Sequence, residues 1–430
     1  MLEHRDASER LDALVELKQT DMAMRARHAD AVTSRLEDSD RDVRVRALDK
    51  LGELEPATIA QHANAVVARL DDSDLEVRHE ALTTLRKLEP VTLAQYADPV
   101  VERLGDAYYE VRGEALRTLA KLEPMTLAQH ANAVVERLGD DKGLVRVFAL
   151  ETLGKLEPVT LAQHANAVVA RFDDSDFEVR CEALTTLRKL EPVTLVQYAD
   201  PLVERLGDAR SYVRMKALQT LGKLEPVTLA QYADPVVERL GDDHWLVRQE
   251  ALKTLGKLEP VTLAQYADPV VERLGDAHSY VREKALTTLG KLEPAALAQH
   301  ANAVVARLED SEDSVRCDAL ETLGKLEPAA VAQHANAVVA KLEDSNELVG
   351  LTALTTLRAL PLAVTRDIDL KSSDVRSRLL GRLAWYNYSL RVRVKRIALY
   401  WYALPYRPSG PGHARDVDAW GRMVRGVADG

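Results

Sequence analysis

Apolar residues recur along the chain in two helical patterns that alternate. The first stripe, in one copy, comprises Leu93, Tyr96, Ala97, Val100, Val101 and Leu104. The second, in another copy, comprises Val281, Ala285, Leu286, Leu289 and Leu292. Both sets return every three or four positions, so each lies on one face of a helix. The chain is therefore predicted to repeat a pair of amphipathic helices, called helix A and helix B.

The helix pair returns with a fixed period, which is marked by a Leu-Glu-Pro junction between helix B and the next helix A. The junction prolines open repeats 2 to 10 and are Pro56, Pro90, Pro124, Pro158, Pro192, Pro226, Pro260, Pro294 and Pro328. Each step is 34 residues. A period of this size indicates a stacked array rather than one globular core.

The repeats predict four parts of the chain. Residues 1–21 are an N-terminal half-repeat cap, because only the helix B pattern is present. Residues 22–360 hold ten repeats, of which 22–55 is repeat 1. Residues 361–406 are a degenerate closing repeat with a basic-aromatic helical cap. Residues 407–430 are a linker and a short last helix.

Local signals refine the helix ends. Ser73 and Ser175 stand three residues before glutamates, which predicts a capping box at the start of helix B. Glycines such as Gly275 predict a left-handed residue at the end of helix A. Prolines inside helix A, such as Pro99 and Pro269, predict a kink there.

Composition is globular, with 46% hydrophobic and 29% charged residues. The net charge is −11 but is unevenly distributed. Residues 361–430 carry 13 Lys and Arg against 6 Asp and Glu, so the array before them has a charge of −18. An acidic array should repel polyanions, whereas its basic tail should not.

The two cysteines occupy the same column of the repeat, four periods apart. Cys181 and Cys317 are then tens of ångströms apart, too far for a disulfide. Free thiols, with no leader-like or membrane-spanning apolar run, predict an intracellular protein, cytoplasmic or nuclear.

Two polar columns identify the type of repeat. The aspartates at the turn between the helices are Asp38, Asp72, Asp106, Asp140, Asp174, Asp208, Asp242, Asp276, Asp310 and Asp344. The arginines that open helix B after a valine are Arg44, Arg78, Arg112, Arg146, Arg180, Arg214, Arg248, Arg282 and Arg316. The chain resembles the HEAT-repeat (armadillo-like) family over about residues 9–360, as a compact variant.

The resemblance implies an all-α, right-handed α-solenoid of about eleven antiparallel helix pairs, with helix B on the concave side. It also implies that each turn aspartate bonds the arginine of a neighbouring repeat and forms a ladder. Asp106, Arg112, Asp208, Arg214, Asp242, Arg248, Asp276 and Arg282 represent it. The alternative is that each arginine caps its own turn.

Columns that change from repeat to repeat are candidates for binding a protein partner. They lie on helix B after the ladder arginine and just before the valine. The candidate anchors are Tyr108, Tyr109, Phe148, Phe177, Tyr212, Met215, His244, Trp245, His278 and Tyr280. Unconstrained surface and packing between repeats are the alternatives.

Two patterns resemble catalytic or metal sites but do not build one. A His/Tyr column on helix A, which includes His62 and Tyr96, has neighbouring members too far apart to share an ion. His79-Glu80 resembles the His-Glu motif of deoxyhypusine hydroxylase, a HEAT-repeat iron enzyme that needs several such motifs, and matching columns lack them. Bilin lyases also use short HEAT-like units, without matching chemistry here. We expect no enzyme activity, cofactor, metal or small-molecule substrate.

The tail carries the remaining candidate chemistry. Aromatic and basic residues alternate there, among them Trp385, Arg391, Arg393, Lys395, Arg396 and Trp401. Such a segment can bind nucleic acid or an anionic membrane, or it can seal the end of the array. The sequence thus predicts a scaffold or adaptor that binds a protein partner, and a regulatory module acting through its tail is the alternative.

Overall fold

A computed structural model describes residues 6–16 and 27–358 of the chain. Within these ranges every regular element is an α-helix or a 3-10 helix, and no strand is present. The chain divides into two compact units between Glu293 and Pro294, which is the junction of repeats 8 and 9. The all-α fold of repeated helix pairs is therefore confirmed.

Helix B is uninterrupted in every repeat. Its bounds in the first unit are Arg41–Gly52, Leu75–Leu85, Tyr109–Leu119, Gly143–Leu153, Phe177–Leu187, Ser211–Leu221, Trp245–Leu255 and Ser279–Leu289. In the second unit they are Asp313–Leu323 and Glu347–Arg358. The helix Ala7–Glu16 precedes repeat 1 and buries Arg10, Ala13 and Leu14, the columns that helix B buries elsewhere.

Helix A is continuous in repeats 2 and 5, as Pro56–Ala68 and Pro158–Val169, and in repeat 1 the described part is Ala29–Ser34. In the other repeats it forms two pieces. In the first unit these are Pro90–Leu93 with Ala97–Glu102, Pro124–Gln129 with Ala131–Glu136, Pro192–Leu195 with Ala199–Glu204, Pro226–Ala230 with Ala233–Glu238, and Pro260–Ala264 with Ala267–Glu272. In the second unit they are Pro294–Gln299 with Ala301–Ala306, and Pro328–Gln333 with Ala335–Ala340.

Short 3-10 helices complete helix A. Those that close it are Arg35–Glu37, Arg69–Asp71, Arg103–Gly105, Arg137–Gly139, Arg205–Gly207, Arg239–Gly241, Arg273–Gly275, Arg307–Glu309 and Lys341–Glu343. Two more, Ala94–Tyr96 and Val196–Tyr198, join the pieces of helix A in repeats 3 and 6.

The break in helix A lies at the His/Tyr column and not at the proline. Tyr96 has φ −115° and ψ 15°, and Pro99 is the third residue of the piece that follows. A proline is tolerated there because the first N–H groups of a helix have no intrahelical partner. His130 makes the same break without a proline. Residues 127–135 and 161–169 are identical and lack proline, yet the first set is broken and the second is continuous, so the break does not require a proline.

Each helix begins with a residue suited to the position. Glu89 is extended, with φ −63° and ψ 145°, and Pro90 follows as the first helical residue. Helix B of repeat 2 is capped by Asp74, whose Oδ1 accepts the Glu76 N–H at 2.9 Å. The predicted cap at Ser73 is wrong, because Asp74 occupies the N-cap position with φ −90° and ψ 133°.

The core is one continuous row of aliphatic side chains within the first unit. Val77, Ala81, Leu82 and Leu85 are fully buried, and their equivalents in the other repeats of that unit are also buried. Within each unit, helix B packs against helix B of the next repeat, and each helix A packs on its own helix B. Burial of each such leucine contributes about 2 kcal/mol relative to leaving it exposed.

The glycines that end helix A lack the left-handed conformation that was predicted. Gly105, Gly139, Gly207, Gly241 and Gly275 have ordinary φ values, and no atom lies within 4 Å of a Cβ placed on any of them. We expect each Gly→Ala substitution to raise the free energy of unfolding by about 0.4–1 kcal/mol, since it restricts only the unfolded chain. Urea titration measures this, and a loss of stability at any of the five would contradict it.

Candidate partner-binding surface

The turn aspartates and helix B arginines form an ion-pair ladder between repeats. In repeats 2 and 3, Arg78 donates from Nε and Nη2 to the carboxylate of Asp106, at 2.7 and 3.0 Å. Its Nη1 also donates to the backbone oxygen of Asp72 at 2.8 Å, so the arginine additionally caps its own turn. The pairs in the first unit are Arg10–Asp38, Arg44–Asp72, Arg78–Asp106, Arg112–Asp140, Arg146–Asp174, Arg180–Asp208, Arg214–Asp242 and Arg248–Asp276. Arg316–Asp344 belongs to the second unit, and Arg282 donates to the backbone oxygen of Asp276 at 2.9 Å.

The ladder depends on pH through its carboxylates. Burial by itself would raise the pKa of Asp106, but hydrogen bonds from Arg78 and from the Tyr108 N–H hold the pKa below its usual value. A lowered folded-state pKa gives stability that is present above the ordinary carboxylate pKa of about 4. This contribution is lost as the pH falls through the folded-state value. The ladder is buried between repeats, so its role is structural.

Three further rows of inter-repeat bonds end on backbone oxygens, and the sequence did not reveal them. Thr220 on helix B donates from Oγ1 to the Leu184 oxygen at 3.2 Å. Arg239 on helix A donates from Nη1 to the Leu206 oxygen at 3.1 Å. Lys223 donates to the Leu190 oxygen at 2.6 Å. Repetition of Thr, Arg and Lys at fixed columns was the available signal.

The threonine row in the first unit comprises Thr84, Thr118, Thr152, Thr186, Thr220, Thr254 and Thr288. The arginine row comprises Arg69, Arg103, Arg137, Arg171, Arg205, Arg239 and Arg273. In both rows the acceptor is a backbone carbonyl group of the preceding repeat. Stacking of the repeats therefore explains why threonine and arginine recur at these positions.

Most predicted aromatic anchors form a rim where helix B begins. The aromatic rim comprises Tyr108, Tyr109, Phe177, Tyr212, Trp245 and Tyr280. Three of its rings carry a cation from the chain. Arg78 lies 5.7 Å from the centroid of Tyr108, Arg210 lies 5.1 Å from Phe177, and Lys216 lies 5.3 Å from Tyr212. Cation–π contacts of this kind hold an exposed ring in place.

Repeats 7 and 8 bring four of the predicted residues into one stacked cluster. The ring centroid of Trp245 lies 5.0 Å from that of His278, 5.7 Å from Tyr280 and 6.2 Å from His244, and the rings are within 25° of parallel. Tyr280 is 55% exposed and His278 is exposed, while Trp245 is half-buried. The Trp245 column holds serine in the repeats on either side, at Ser211 and Ser279.

Two predicted anchors are not at the surface. Phe148 and Met215 are each only 8% exposed. The ring of Phe148 fills the space above Gly113, whose added Cβ would come within 3.1 Å of it, and the Arg117 guanidinium lies 4.0 Å from the ring centroid. A buried side chain cannot anchor a partner, so the structure removes both residues from the candidate surface.

Glu80 is the most perturbed carboxyl group on the helix-B face, the surface formed by the variable helix B columns. Burial, together with the nearby carboxylates of Asp49 and Glu114, raises the pKa of Glu80 to about 7. Glu114 itself is paired, since Arg86 donates to it at 2.6 Å. The raised pKa means that the charge of Glu80 changes near neutral pH.

Substitution of Glu80 by glutamine should change stability in a pH-dependent way. A raised folded-state pKa means that the folded state retains the proton, so the free energy of unfolding falls as the pH rises from about 4.5 to about 7. Glu80→Gln is expected to stabilise the chain by about 1–2 kcal/mol near pH 8, after allowing for solvent screening, and by nearly nothing near pH 4. Denaturant unfolding at both pH values measures it, with exposed Glu76→Gln as the control. Equal effects of the two variants would contradict the prediction.

The remaining candidate groups are a His/Tyr column on helix A, the two cysteines and the tail. In the His/Tyr column, Tyr266 donates its hydroxyl to Asp234 of the preceding repeat at 2.9 Å. Cys181 and Cys317 are buried free thiols, and burial raises the pKa of Cys181 to about 11. In the part of the chain that the structure describes, no three His, Cys, Asp or Glu side chains meet as a metal site. The tail candidates Trp385, Arg391, Arg393, Lys395, Arg396 and Trp401 lie outside the described residues.

Among residues 6–16 and 27–358, none of the helices combines the length and apolar character needed to cross a bilayer.

Solved structures share the fold at low sequence identity. An engineered protein matches with a TM-score of 0.52 and 17% identity, over 77% of this chain and 98% of its own. Yeast importin-beta, Kap95p, matches with a TM-score of 0.58 and 14% identity, over 83% of this chain and 54% of its own. The Kap95:Nup1 complex matches with a TM-score of 0.56 and 15% identity, over 84% of this chain and 54% of its own. The chain thus spans about half the length of these importin chains, and identities this low show the fold alone.

No curated protein matches the chain significantly. A family model does match, with the description HEAT repeats, and it does so five times. The matched segments are residues 29–120, 97–188, 131–222, 165–256 and 199–290. Together they extend over residues 29–290, which is more than half of the sequence. The chain therefore belongs to the HEAT-repeat family.

Proposed function

We propose that the chain is a non-catalytic scaffold that binds a protein partner on the helix-B face and the aromatic rim. The observation that supports this most directly is the cluster of Trp245, His278 and Tyr280, whose stacked rings are partly open to solvent. Aromatic side chains held in one conformation give large contact areas at low entropic cost, which is why they are frequent among binding hot spots.

Three further observations support a binding role for this cluster. The rings start helix B of repeats 7 and 8, a rigid element anchored by the Arg214–Asp242 and Arg248–Asp276 pairs. The fold is shared with importin-beta, and one matching structure is a complex of Kap95 with Nup1. A stacked helical array has a long surface, and a partner can contact the positions that differ from repeat to repeat.

The test is a paired substitution with a control in the same repeats. Trp245→Ala with Tyr280→Ala is expected to reduce partner recovery in quantitative affinity capture at least about ten-fold, the effect of removing a hot spot. Val227→Ala with Val261→Ala truncates helix A side chains that are 75% and 74% exposed, and should leave recovery unchanged.

Thermal unfolding of both variants separates binding from folding. The proposal holds if recovery falls while the melting temperature of the Trp245/Tyr280 variant stays within a few degrees of the parent. A fall in melting temperature with unchanged recovery would show that the rings pack the array instead of binding.

The tail remains a second hypothesis that rests on sequence alone. Binding of nucleic acid or an anionic membrane through the basic-aromatic segment would weaken steeply with salt, because it depends on released counterions. Binding through the aromatic rim would weaken much less. A salt titration of partner recovery therefore discriminates between the two.

A further inference from the structure

Charge on the first unit is separated between its two helical layers. Helix A of repeats 6 to 8 presents two exposed acidic residues per repeat. They are Asp200, Glu204, Asp234, Glu238, Asp268 and Glu272. The turn after helix A adds Asp243, whose side chain is 88% exposed. The negative charge that dominates the composition therefore lies on the helix A side of these repeats.

Helix B of the same three repeats has the opposite sign. Apart from the ladder arginines and the junction glutamates Glu225, Glu259 and Glu293, helix B and its closing turn carry six lysines and two glutamates in repeats 6 to 8. The lysine patch comprises Lys216, Lys223, Lys253, Lys257, Lys284 and Lys291. In repeats 2 to 4 the same segments carry five basic and five acidic residues. The excess of positive charge is thus confined to one stretch of the helix-B face.

The repeat places the lysines in shared columns. Lys216 and Lys284 occupy one column of helix B, and Lys223, Lys257 and Lys291 occupy one column of the closing turn in successive repeats. Lys253 lies between such positions, with its amine 3.3 Å from Glu250. Because helix B of each of these repeats packs directly on the next, the faces join into one surface.

Part of this surface is held rigid. The amine of Lys223 donates to the Leu190 oxygen at 2.6 Å, and that of Lys257 donates to the Gly222 oxygen. The carbonyl ends of the preceding helix B thus fix these amines in a row. Burial first, and then the positive charges of Lys253 and Lys291, lower the pKa of Lys257. An anion placed on the row would relieve this repulsion.

We propose that the lysine patch binds a segment of a partner protein rich in aspartate and glutamate. The inference rests on the proposed function, since it specifies the chemistry of the partner on the same face. A slim acidic strand can follow the lysines and keep away from the carboxylates of helix A. A nucleic acid carries charge on all sides and would be repelled by the exposed carboxylates of helix A in the same repeats.

The direct test uses a fluorescein-labelled oligo-glutamate peptide and the full chain. The variant Lys216→Gln, Lys253→Gln, Lys284→Gln removes patch amines for which no bond to a backbone carbonyl is seen. Its control, Lys87→Gln, Lys121→Gln, Lys155→Gln, removes the same charge from repeats 2 to 4. Fluorescence anisotropy should show peptide binding that weakens about ten-fold or more in the patch variant and less than about two-fold in the control.

Several outcomes would overturn the inference. Equal weakening of peptide binding in both variants would show non-specific attraction. If the parent chain shows no measurable binding of the peptide, the patch is not a binding site for acidic segments. Tighter binding of a single-stranded oligonucleotide of equal charge than of the peptide would assign the patch to nucleic acid. If the Trp245→Ala, Tyr280→Ala variant no longer recovers its partner, but the parent chain does not bind the peptide, the proposed function stands and this inference alone fails.

Discussion

Replacing Asp242 by alanine is expected to lower the free energy of unfolding by about 3–5 kcal/mol. Asp242 accepts from Nε and Nη2 of Arg214 at 2.7 and 2.6 Å, and from the His244 N–H at 2.9 Å. Its side chain is 3% exposed. Removal of the carboxylate leaves the buried guanidinium of Arg214 with only the exposed carboxylate of Asp243 as its counter-charge, which is costly.

Asp243 provides the matched control for this change. It also contacts Nη2 of Arg214, but its side chain is 88% exposed. Asp243→Ala should therefore cost less than about 1 kcal/mol. Urea unfolding followed by circular dichroism measures both. Similar losses for the two variants would show that burial of the ladder does not determine its energy.

A double substitution separates charge from packing in the same pair. Replacing Arg214 by methionine together with Asp242 by leucine should recover most of the lost stability, because it removes both buried charges at once. If the double variant is as unstable as Asp242→Ala, the pair acts through its hydrogen bonds to the turn. Those bonds include the one from Arg214 Nη1 to the Asp208 oxygen at 2.9 Å.

The second large effect is expected at Phe148, where alanine should cost about 3 kcal/mol. The ring is packed between the backbone of Gly113 and the guanidinium of Arg117 and is 8% exposed. Truncation leaves a cavity between repeats 3 and 4. Tyr212→Ala is the control, since that ring is 49% exposed, and it should cost less than about 1 kcal/mol.

A double-mutant cycle tests whether Gly113 and Phe148 are matched in size. Gly113→Val alone should be destabilising by about 1–3 kcal/mol, because its Cβ would press on the ring. In the Phe148→Ala background the same valine fills the cavity, so the two changes should be less harmful together than their sum. Additive losses in thermal or urea unfolding would contradict direct packing.

The fold was predictable because the same pattern of apolar residues recurs in ten repeats. The aliphatic columns, represented by Val281, Ala285 and Leu286, repeat with a helical spacing that only stacked helix pairs satisfy. Local features were less predictable. The N-cap of helix B is Asp74 and not the predicted Ser73. Gly275 has an ordinary φ at the end of a 3-10 helix, where a left-handed residue was predicted. These positions depend on the path of the backbone at each turn, which sequence spacing does not specify.

The candidate surface was predictable only in part. The variable columns located the aromatic cluster around Trp245, but they gave no sign that Phe148 and Met215 would be buried. Both side chains lie on helix B next to a neighbouring repeat, and their exposure depends on how closely two helices approach. For Phe148 that approach is permitted by Gly113, a residue 35 positions earlier in the sequence.

The sequence by itself determined the period, the helix pair and the columns that must stack, because apolar spacing and repetition depend only on the order of residues. Tertiary structure decided which groups meet. It joined Arg214 to Asp242 across 28 residues, and it directed Thr220 to a carbonyl oxygen 36 residues away. It also placed acids on helix A and lysines on helix B, a separation hidden in a net charge of −11. Net charge is a sum over the chain, whereas a partner responds to the potential of the one face that it touches.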